Sequence, residues 1–537
     1  MSAAQLLEVR NLSVGIGVAC ILKDISLEVR AGEILGLVGA SGSGKSMTAL
    51  SIMRLLPPTA SCTGITRLNG ETLSLKSEAE MRAIRGRDIG MVFQEPMSAL
   101  NPLMRIGDQV AETVRAHRQA SASEAQGLAR ESLDLVGLQG EQGALDRLPY
   151  ELSGGQRQRV AIAMAMVLSP QFLIADEPTT ALDVITQAQV LKLLQGLVRT
   201  RNMGMILVTH DLAVMAQLAD RVAVMHQGEI VEQASAADIL RRPRHAYSAA
   251  LLAASELQPK RAATRQNGPA VLQVRGIVRE YSRRRTSLWH PLKPLRAVDG
   301  VSLSVHAGET VGLVGESGSG KSSLLRVILA LERAQAGDVC LLGETLSGAS
   351  GAALSRLRRS IQVVFQDPYG SFDPRWTVEQ LIGEPFFLLN SRPSKVERRR
   401  KVSVVLEQVG LSAADAKRLP QEFSGGERQR IAIARALITE PAVIAFDEAV
   451  SALDVLIRAQ VLTLLSDLAE RLKVAYLFVS HDLHVIRAIA DRVYVMQQGR
   501  IVEEGAAAAV FESPRHSYTQ ALVAAYPKLP VHQEAPR

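Results

Sequence analysis

Two glycine-rich segments of this 537-residue sequence follow the pattern GxxxxGK[ST], and each comes directly after a strand-like apolar run. In this pattern, successive backbone N–H groups surround phosphate oxygens, and the following helix adds the positive end of its dipole. The lysine reaches the β and γ phosphates, and the next hydroxyl binds Mg²⁺. The pattern predicts two nucleoside triphosphate sites, formed by Gly39, Ala40, Ser41, Gly42, Ser43, Gly44, Lys45 and Ser46, and by Gly315, Glu316, Ser317, Gly318, Ser319, Gly320, Lys321 and Ser322.

Two other runs, FLIADE and VIAFDE, are strand-like and end in a pair of acidic residues. Taken alone, such a run is more often a buried parallel strand that leads into a polar loop. Beside a phosphate loop, the first acid, Asp176 or Asp447, is placed to bind Mg²⁺. The second acid, Glu177 or Glu448, is placed to orient an attacking water.

These residues recur because the chain contains one unit twice. The phosphate loops start 276 residues apart, and later landmarks, from Ser153 and Ser424 onward, recur 271 residues apart. His210 and His481 share this register, each at the end of a strand-like run, which favours contact with the γ-phosphate over the structural role usual for a lone histidine. Such a period is too long for a solenoid and indicates a tandem pair of whole domains.

A third motif, LSGGQRQR, recurs as FSGGERQR, 23 residues before the acidic pair in each half. Its serine is a typical helix N-cap, and the N–H groups of the helix start can receive a second phosphate. We therefore expect the motif to bind nucleotide through Ser153, Gly154, Gly155 and Gln156, and through Ser424, Gly425, Gly426 and Glu427.

The elements that must position these residues alternate between strand-like and helical runs, which indicates a mainly parallel sheet covered by helices in each half. The segments 97–150 and 369–420 read as inserted helical subdomains. We predict an α/β fold with a first domain at 1–255, a polar linker at 256–270, a second domain at 271–525 and a tail at 526–537.

Together, these motifs make nearly the whole chain similar to the ATP-binding cassette (ABC) ATPases. The resemblance implies two tandem P-loop NTPase domains, each with a parallel core, an antiparallel β subdomain and a helical subdomain. It also implies that the SGG motif of one cassette closes on the ATP and Mg²⁺ held by the other. VFQEP and VFQDP resemble the glutamine loops of the family, which gives Gln94 and Gln366 a role beside Mg²⁺. TALD and SALD resemble its D-loops, which place Asp183 and Asp454 across the cassette interface.

A motif near the end of each half indicates which group of ABC ATPases the chain resembles. PRHAYSAAL and PRHSYTQAL are similar to the C-terminal motif of the dipeptide, oligopeptide and nickel importers and of related glutathione importers. The resemblance implies an ATPase that powers import of peptides or similar small solutes from the cytoplasmic face of the inner membrane. Its partners would be two integral membrane permease subunits and an extracytoplasmic solute-binding protein. The candidate permease contacts are apolar residues that either are exposed toward the permeases or belong to the core of their helical subdomain: Met97, Leu100, Leu103, Tyr369, Phe372 and Trp376.

The two halves differ at the expected adenine contact. Tyr281 matches the aromatic residue on which adenine stacks in the family, whereas Ile16 occupies that position in the first half. The second SGG motif, which would close on the first phosphate loop, has Glu427 where the first motif has Gln156, and a carboxylate there would repel triphosphate. The basic segment 279–296 starts beside Tyr281 and would attract nucleotide to the second site. All three differences predict tighter nucleotide binding at the second phosphate loop.

Composition excludes several function classes. Aromatic residues make up 4%, which argues against a nucleic-acid stacking platform, and three dispersed cysteines give no zinc or disulfide pattern. We expect no signal peptide and no membrane span. Much of the net charge of +7 lies in 279–296, which reads either as a solvated hairpin or as a patch that faces phosphates or lipid headgroups. The alternative functions are a permease-free tandem ABC protein acting on ribosomes or DNA, and a nucleotide-binding scaffold without turnover; we expect no nucleic-acid partner.

Overall fold

The computed structural model describes the chain outside residues 1–5, 95–98, 139–143, 180–181, 257–268, 282–293, 347, 368–369, 390, 452, 528 and 530–537. The chain forms two compact units. The first consists mainly of Met1–Glu256, and the second consists of Leu257–Tyr526. Most of the predicted linker 256–270 and of the basic segment 279–296 lies outside the described residues.

The first unit contains two sheets. Its strands are β1 (Leu6–Ile16), β2 (Ala19–Arg30), β3 (Ile34–Val38), β4 (Ala60–Leu68), β5 (Glu71–Thr72), β6 (Ile89–Val92), β7 (Phe172–Asp176), β8 (Gly204–Val208), β9 (Arg221–His226) and β10 (Glu229–Ser235). An antiparallel sheet has the order β2-β1-β4-β5, and a six-stranded sheet has the order β10-β9-β3-β8-β7-β6. The larger sheet is parallel except for β10.

Helices surround these sheets. They are α1 (Lys45–Ile52), α2 (Glu78–Ile84), α3 (Ile106–His117), α4 (Ala122–Leu135), α5 (Gly154–Met166), α6 (Val184–Arg201), α7 (Leu212–Leu218), α8 (Ala236–Arg241) and α9 (Ala246–Glu256). Short 3₁₀ turns occupy Leu73–Leu75, Ala144–Asp146 and Pro149–Glu151. Between the described residues 99 and 153, α3 and α4 form the helical insertion that the sequence predicts.

The second unit repeats this order. Its strands are β11 (Ala270–Tyr281), β12 (Leu295–His306), β13 (Thr310–Val314), β14 (Ala336–Leu341), β15 (Glu344–Thr345), β16 (Ile361–Val364), β17 (Val443–Asp447), β18 (Ala475–Ser480), β19 (Arg492–Gln497) and β20 (Arg500–Ala506). They form an antiparallel sheet, β12-β11-β14-β15, and a mainly parallel sheet, β16-β17-β18-β13-β19-β20.

The helices of the second unit are α10 (Lys321–Ile328), α11 (Gly351–Ser360), α12 (Val378–Ile382), α13 (Lys395–Gln408), α14 (Gly425–Leu437), α15 (Val455–Leu472), α16 (Leu483–Ile489), α17 (Ala507–Glu512) and α18 (Ser517–Ala525). Its 3₁₀ turns are Glu384–Leu388, Ala413–Lys417 and Pro420–Glu422. Here the counterpart of α3 ends after five residues and continues as the 3₁₀ turn, because Pro385 supplies no N–H to extend an α-helix.

The parallel strands lie in the core of each unit. All five residues of β3, of β7 and of β8 are buried, as expected for strands covered on both faces. In the first unit, buried side chains of the antiparallel sheet, of α1 and of the large sheet form one continuous core. The predicted α/β fold with two P-loop NTPase cassettes is confirmed.

Candidate nucleotide-binding sites

The carboxyl ends of the parallel strands bring the predicted site residues together in each unit. In the first unit, the phosphate loop follows β3, the acidic pair ends β7 and His210 follows β8. Gln94 lies two residues beyond β6. Because neighbouring parallel strands end at the same edge of a sheet, residues far apart in sequence lie together at that edge.

The first phosphate loop joins β3 to α1 through a left-handed glycine. Gly44 has φ 103°, and a Cβ there would overlap the Leu22 side chain, so both backbone conformation and space favour glycine. Buried Lys45 donates from Nζ to the carbonyl oxygens of Gly39 and Ala40, at 2.9 and 2.8 Å. These contacts hold the ammonium group inside the curve of the loop.

The second phosphate loop has the same construction. Gly320 has φ 106°, and a Cβ would overlap the Ala297 carbonyl oxygen. Lys321 donates from Nζ to the carbonyl oxygens of Gly315 and Glu316, at 2.7 and 2.8 Å. The middle of each loop is exposed, at Ser41 and Gly42 and at Ser317 and Gly318, which leaves it open to a ligand.

The hydroxyl and carboxylate predicted to hold Mg²⁺ are neighbours in the first unit. Ser46 donates from Oγ to Asp176 Oδ1 at 3.1 Å. Burial raises the pKa of Asp176, and the charge of Glu177 adds to this, while the Ser46 hydrogen bond opposes it. The Ser46 hydroxyl and the Asp176 carboxylate are hard oxygen ligands, which Mg²⁺ prefers. A bound cation would also favour ionisation of the buried acid.

The second unit places its counterparts at the same points of the fold. Ser322 follows Lys321 at the start of α10, and Asp447 ends β17. Burial also raises the pKa of Asp447, and the neighbouring charge of Glu448 raises it further. Burial therefore disfavours ionisation of the first acid in both units.

The second acid of each pair contacts the predicted histidine. His210 Nδ1 lies 3.2 Å from Glu177 Oε1, and Gln94 donates from Nε2 to Glu177 Oε2 at 3.1 Å. The structure thus brings three predicted site residues of the first unit together. In the second unit, His481 Nδ1 lies 2.9 Å from Glu448 Oε1, and Gln366 is exposed beyond β16.

The charges of the Glu448–His481 pair support each other. Burial alone raises the pKa of Glu448, but the hydrogen bond and charge of His481 outweigh it and lower that pKa. Burial alone lowers the pKa of His481, but Glu448 outweighs it and raises that pKa. Each partner thus favours the charged form of the other, and an ionised Glu448 is a hydrogen-bond acceptor for water.

The predicted N-cap role of both SGG serines is confirmed. Ser153 Oγ accepts from Gln156 N at 3.2 Å, and Gln156 Oε1 accepts from Ser153 N at 2.9 Å. In α14, Glu427 Oε2 accepts from the backbone N and from Oγ of Ser424, at 2.8 and 2.7 Å. These bonds lower the pKa of Glu427 and occupy its carboxylate within the capping box.

The second glycine of each SGG motif has a packing reason that sequence reasoning missed. A Cβ at Gly155 would overlap Thr186 of α6, and one at Gly426 would overlap Ile457 of α15. These glycines let the two helices approach closely. A Cβ at Gly154 would meet only Leu182, at an ordinary 3.7 Å.

The D-loop aspartates act as helix N-caps in this structure. Asp183 Oδ1 accepts from Thr186 N at 3.0 Å at the start of α6. Asp454 Oδ1 accepts from Ile457 N at 3.0 Å at the start of α15. Their expected role across a cassette interface remains a prediction.

Tyr281 lies beside the second phosphate loop. Its hydroxyl donates to Glu332 Oε2 at 2.7 Å and lies 3.3 Å from Ser323 Oγ, one residue beyond the loop. The Arg279 guanidinium lies 4.6 Å from the ring centroid. Adenine stacking, if it occurs here, must therefore use the opposite face of the ring. Ile16 occupies the corresponding end of β1.

Of the two interpretations of the candidate permease contacts, the structure favours the subdomain core at two positions and exposure at two others. Leu100 and Phe372 are buried, and Phe372 packs beneath the Arg435 guanidinium. Leu103 and Trp376 are 87% and 37% exposed. The other two candidates, Met97 and Tyr369, lie outside the described residues.

Comparison with known proteins agrees with this geometry. The family model described as "ABC transporter" matches residues 22–180 and 298–451. The model described as "Oligopeptide/dipeptide transporter, C-terminal region" matches residues 231–276 and 502–537. The chain belongs to the ABC transporter family: it is an ATP-binding, ATP-hydrolysing subunit with two cassettes, which operates with a membrane permease.

Its curated relatives include import proteins. The glutathione import ATP-binding protein GsiA of Salmonella choleraesuis (strain SC-B67) is 44% identical over 96% of this chain and 88% of its own length. GsiA of Escherichia coli O6:H1 is 44% identical over 100% of this chain and 92% of its own length. These relatives favour transport over the ribosome- or DNA-directed alternative. Within the described residues, no helix is long and apolar enough to cross a membrane.

Proposed function

We propose that this chain powers a membrane importer for peptides or similar small solutes by hydrolysing ATP at two sites. The observation that carries the proposal is the double set of chemical groups at the sheet edges: a phosphate-loop lysine and a glutamate paired with a histidine, in both units. A scaffold without turnover would not need both Glu–His pairs.

Each residue of the first set has a distinct task. Lys45 binds the β and γ phosphates from inside the curve of the loop, while the loop N–H groups bind the remaining oxygens. Ser46 and Asp176 would hold Mg²⁺, which supplies charge neutralisation on the phosphates. Glu177 accepts a hydrogen bond from the attacking water and orients it, and His210 contacts the γ-phosphate.

The second set performs the same tasks with Lys321, Ser322, Asp447, Glu448 and His481. Each site is completed by the SGG motif of the other cassette. The first site takes Ser424, Gly425, Gly426 and Glu427, and the second takes Ser153, Gly154, Gly155 and Gln156. The helix N-terminus after each capped serine supplies N–H groups for the γ-phosphate.

The partners follow from the family and the relatives. We propose two integral membrane permease subunits, with a solute-binding protein on the far side and this chain on the cytoplasmic face. Exposed Leu103 and Trp376 lie in the inserted subdomains and are the candidate permease contacts. Because the relatives are named for glutathione import, a short peptide such as glutathione is the solute class to examine first.

The test is replacement of Glu177 and Glu448 together by glutamine. The change keeps shape and hydrogen-bonding capacity but removes the carboxylates that orient water, so hydrolysis should fall by about 100-fold or more. The Kd for ATP should stay at the wild-type value, because the lysines and phosphate loops are intact. Phosphate release and nucleotide titration measure the two quantities.

A matched control replaces Glu131 and Glu470 by glutamine. Both residues are exposed on helices, one in each unit, so this variant should hydrolyse ATP normally. Hydrolysis at the wild-type rate in the Glu177→Gln, Glu448→Gln protein would show that these acids do not orient the attacking water.

A further inference from the structure

A tyrosine from the C-terminal motif of each cassette reaches back to the start of its phosphate loop. The backbone N–H of Ala40 donates to the Tyr247 hydroxyl oxygen at 2.9 Å, although the residues are 207 positions apart. In the second unit, the N–H of Glu316 donates to the Tyr518 hydroxyl at 2.8 Å. The same contact is therefore made twice.

The rest of the motif fixes the tyrosine in place. In the first unit, Glu232 of β10 accepts from the backbone N–H groups of Arg244 and His245, at 2.8 and 3.0 Å. His245 Nδ1 then accepts from the backbone N–H of Tyr247 at 3.1 Å, at the start of α9. The Tyr247 ring also stacks on His226 with centroids 4.0 Å apart.

The second unit repeats these hydrogen bonds. Glu503 of β20 accepts from the N–H groups of Arg515 and His516, at 2.8 and 3.0 Å. His516 Nδ1 accepts from the backbone N–H of Tyr518 at 3.2 Å, and Tyr518 is buried. The arginine N–H, the histidine and the tyrosine of the PRHxY motif thus together fix the position of the tyrosine side chain in each unit.

The tyrosine and the phosphate-loop lysine hold opposite ends of one peptide group. The peptide between Gly39 and Ala40 gives its N–H to Tyr247, and its carbonyl oxygen accepts from Lys45 Nζ at 2.9 Å. In the second unit, the peptide between Gly315 and Glu316 gives its N–H to Tyr518 and accepts from Lys321 at 2.7 Å. Hydrogen bonds linked through a peptide polarise one another, so the hydroxyl supports the lysine contact and fixes the plane of the first loop peptide.

We propose that Tyr247 and Tyr518 are positioning residues that set the conformation of the phosphate loops and thereby the affinity for triphosphate. A loop held in its binding conformation loses less conformational freedom when the ligand arrives. The C-terminal region of each cassette thus acts on the nucleotide site of its own unit. The inference rests on the proposed assignment of both loops as ATP phosphate sites.

The test replaces both tyrosines by phenylalanine, which keeps the rings and removes only the hydroxyls. Losing a neutral hydrogen bond of this kind should raise the Kd for ATP by about threefold to tenfold. The Kd for inorganic tripolyphosphate, measured by competition, should rise by the same factor. The reason is that the substitutions change the phosphate loop and not the adenine contact. The KM for ATP should rise while kcat stays unchanged, because the acids and histidines are untouched.

Tyr494→Phe is the structural control. The Tyr494 hydroxyl accepts from Ser304 N at 3.1 Å and from Arg492 Nη1 at 2.9 Å, with no phosphate-loop residue among these partners. Its loss should lower the melting temperature and leave both Kd values unchanged. If the double tyrosine variant does not fold, Tyr247→Phe is measured in the Lys321→Ala protein and Tyr518→Phe in the Lys45→Ala protein.

The outcomes separate this inference from the proposed function. Wild-type ATP affinity in a Lys45→Ala, Lys321→Ala protein would show that the phosphate loops are not the ATP sites. That result would overturn both the positioning role of the tyrosines and the proposed function. Lost affinity in that protein, with wild-type Kd values in the tyrosine variants, would overturn the positioning role alone. Raised Kd values for ATP and tripolyphosphate together, with unchanged kcat, support it.

Discussion

At the scale of single residues, the two proposed water-orienting acids have an unusual backbone. Glu177 and Glu448 have φ of 44° and 49°, in the left-handed region that non-glycine residues rarely adopt. Their N–H groups donate to Val208 and Val479 on the neighbouring strands, at 3.0 and 2.9 Å. Such a conformation costs roughly 1–3 kcal/mol and persists where the surroundings enforce it. In both units this conformation occurs at the residue that contacts the histidine.

Another carboxylate, Glu309, supports stability in the second unit. It is buried and accepts from Arg492 Nε at 2.9 Å, and from the backbone N and Nδ1 of His306 at 2.8 and 2.9 Å. Glu309→Gln should lower the free energy of unfolding by about 2 kcal/mol, because hydrogen bonds to charged groups are worth about 1.5–3 kcal/mol. Urea unfolding monitored by tryptophan fluorescence measures it, since both tryptophans lie in the second half.

The sign of the pH dependence follows from the same contacts. Burial alone raises the pKa of Glu309, but the Arg492 and His306 hydrogen bonds outweigh it and lower that pKa below its ordinary value of 4.5. The stabilisation is therefore present above the pKa of the unfolded chain and is lost as pH falls through the lower folded pKa. The difference between wild type and Glu309→Gln should shrink on acidification. A difference that grows instead would contradict the assigned charge state.

At the scale of elements, the helices after the D-loops differ between units. In α15, Arg458 donates to Asp482 Oδ2 at 2.9 Å and to the Leu453 carbonyl oxygen at 3.0 Å. It thereby joins the D-loop segment to the residue next to His481. Gln187 occupies the corresponding position in α6.

We predict that Arg458→Gln lowers kcat by about three- to tenfold, because small displacements of reacting groups are costly. The KM for ATP should be unchanged, since Arg458 acts through Asp482 and Leu453 and not through the phosphate loop. Steady-state hydrolysis measures both constants. Arg471→Gln, at an exposed position of the same helix, is the matched control and should have wild-type kinetics. A rise in KM at constant kcat would contradict this positioning role.

How far the elements could be predicted depends on the range of the interactions. The strand–loop–helix order around Lys45 and the N-cap of Ser153 are local patterns, so the sequence alone predicts them. The contact between Tyr247 and Ala40 requires β9, β10 and α9 to fold back, and no local pattern encodes it. The burial of Phe372 could not be decided from the local sequence, because its ring packs against Arg435, 63 residues later in the sequence.

At the scale of the whole molecule, the two cassettes of the chain share one fold but differ around their nucleotide sites. The lysine, acid and histidine contacts are alike in both units, so each unit contains the groups that we propose for catalysis. Differences lie around them. The carboxylate of Glu427 is held in its capping box by Ser424, and these bonds favour its ionised form. Its charge and the adenine contact are therefore both differences between the two sites.

We therefore predict that nucleotide binds more tightly at the second phosphate loop than at the first. Tyr281 is held beside that loop by Glu332 and offers adenine one ring face, whereas Ile16 offers only apolar contact. Base stacking on an aromatic side chain is worth about 1–3 kcal/mol, and with one face covered by Arg279 we expect the lower end, or about fivefold in Kd. Nucleotide titration of Lys45→Ala, which keeps the second loop intact, should give a lower Kd than titration of Lys321→Ala. Adding Tyr281→Ala to Lys45→Ala should abolish the difference, and equal or reversed affinities in the two lysine variants would refute it.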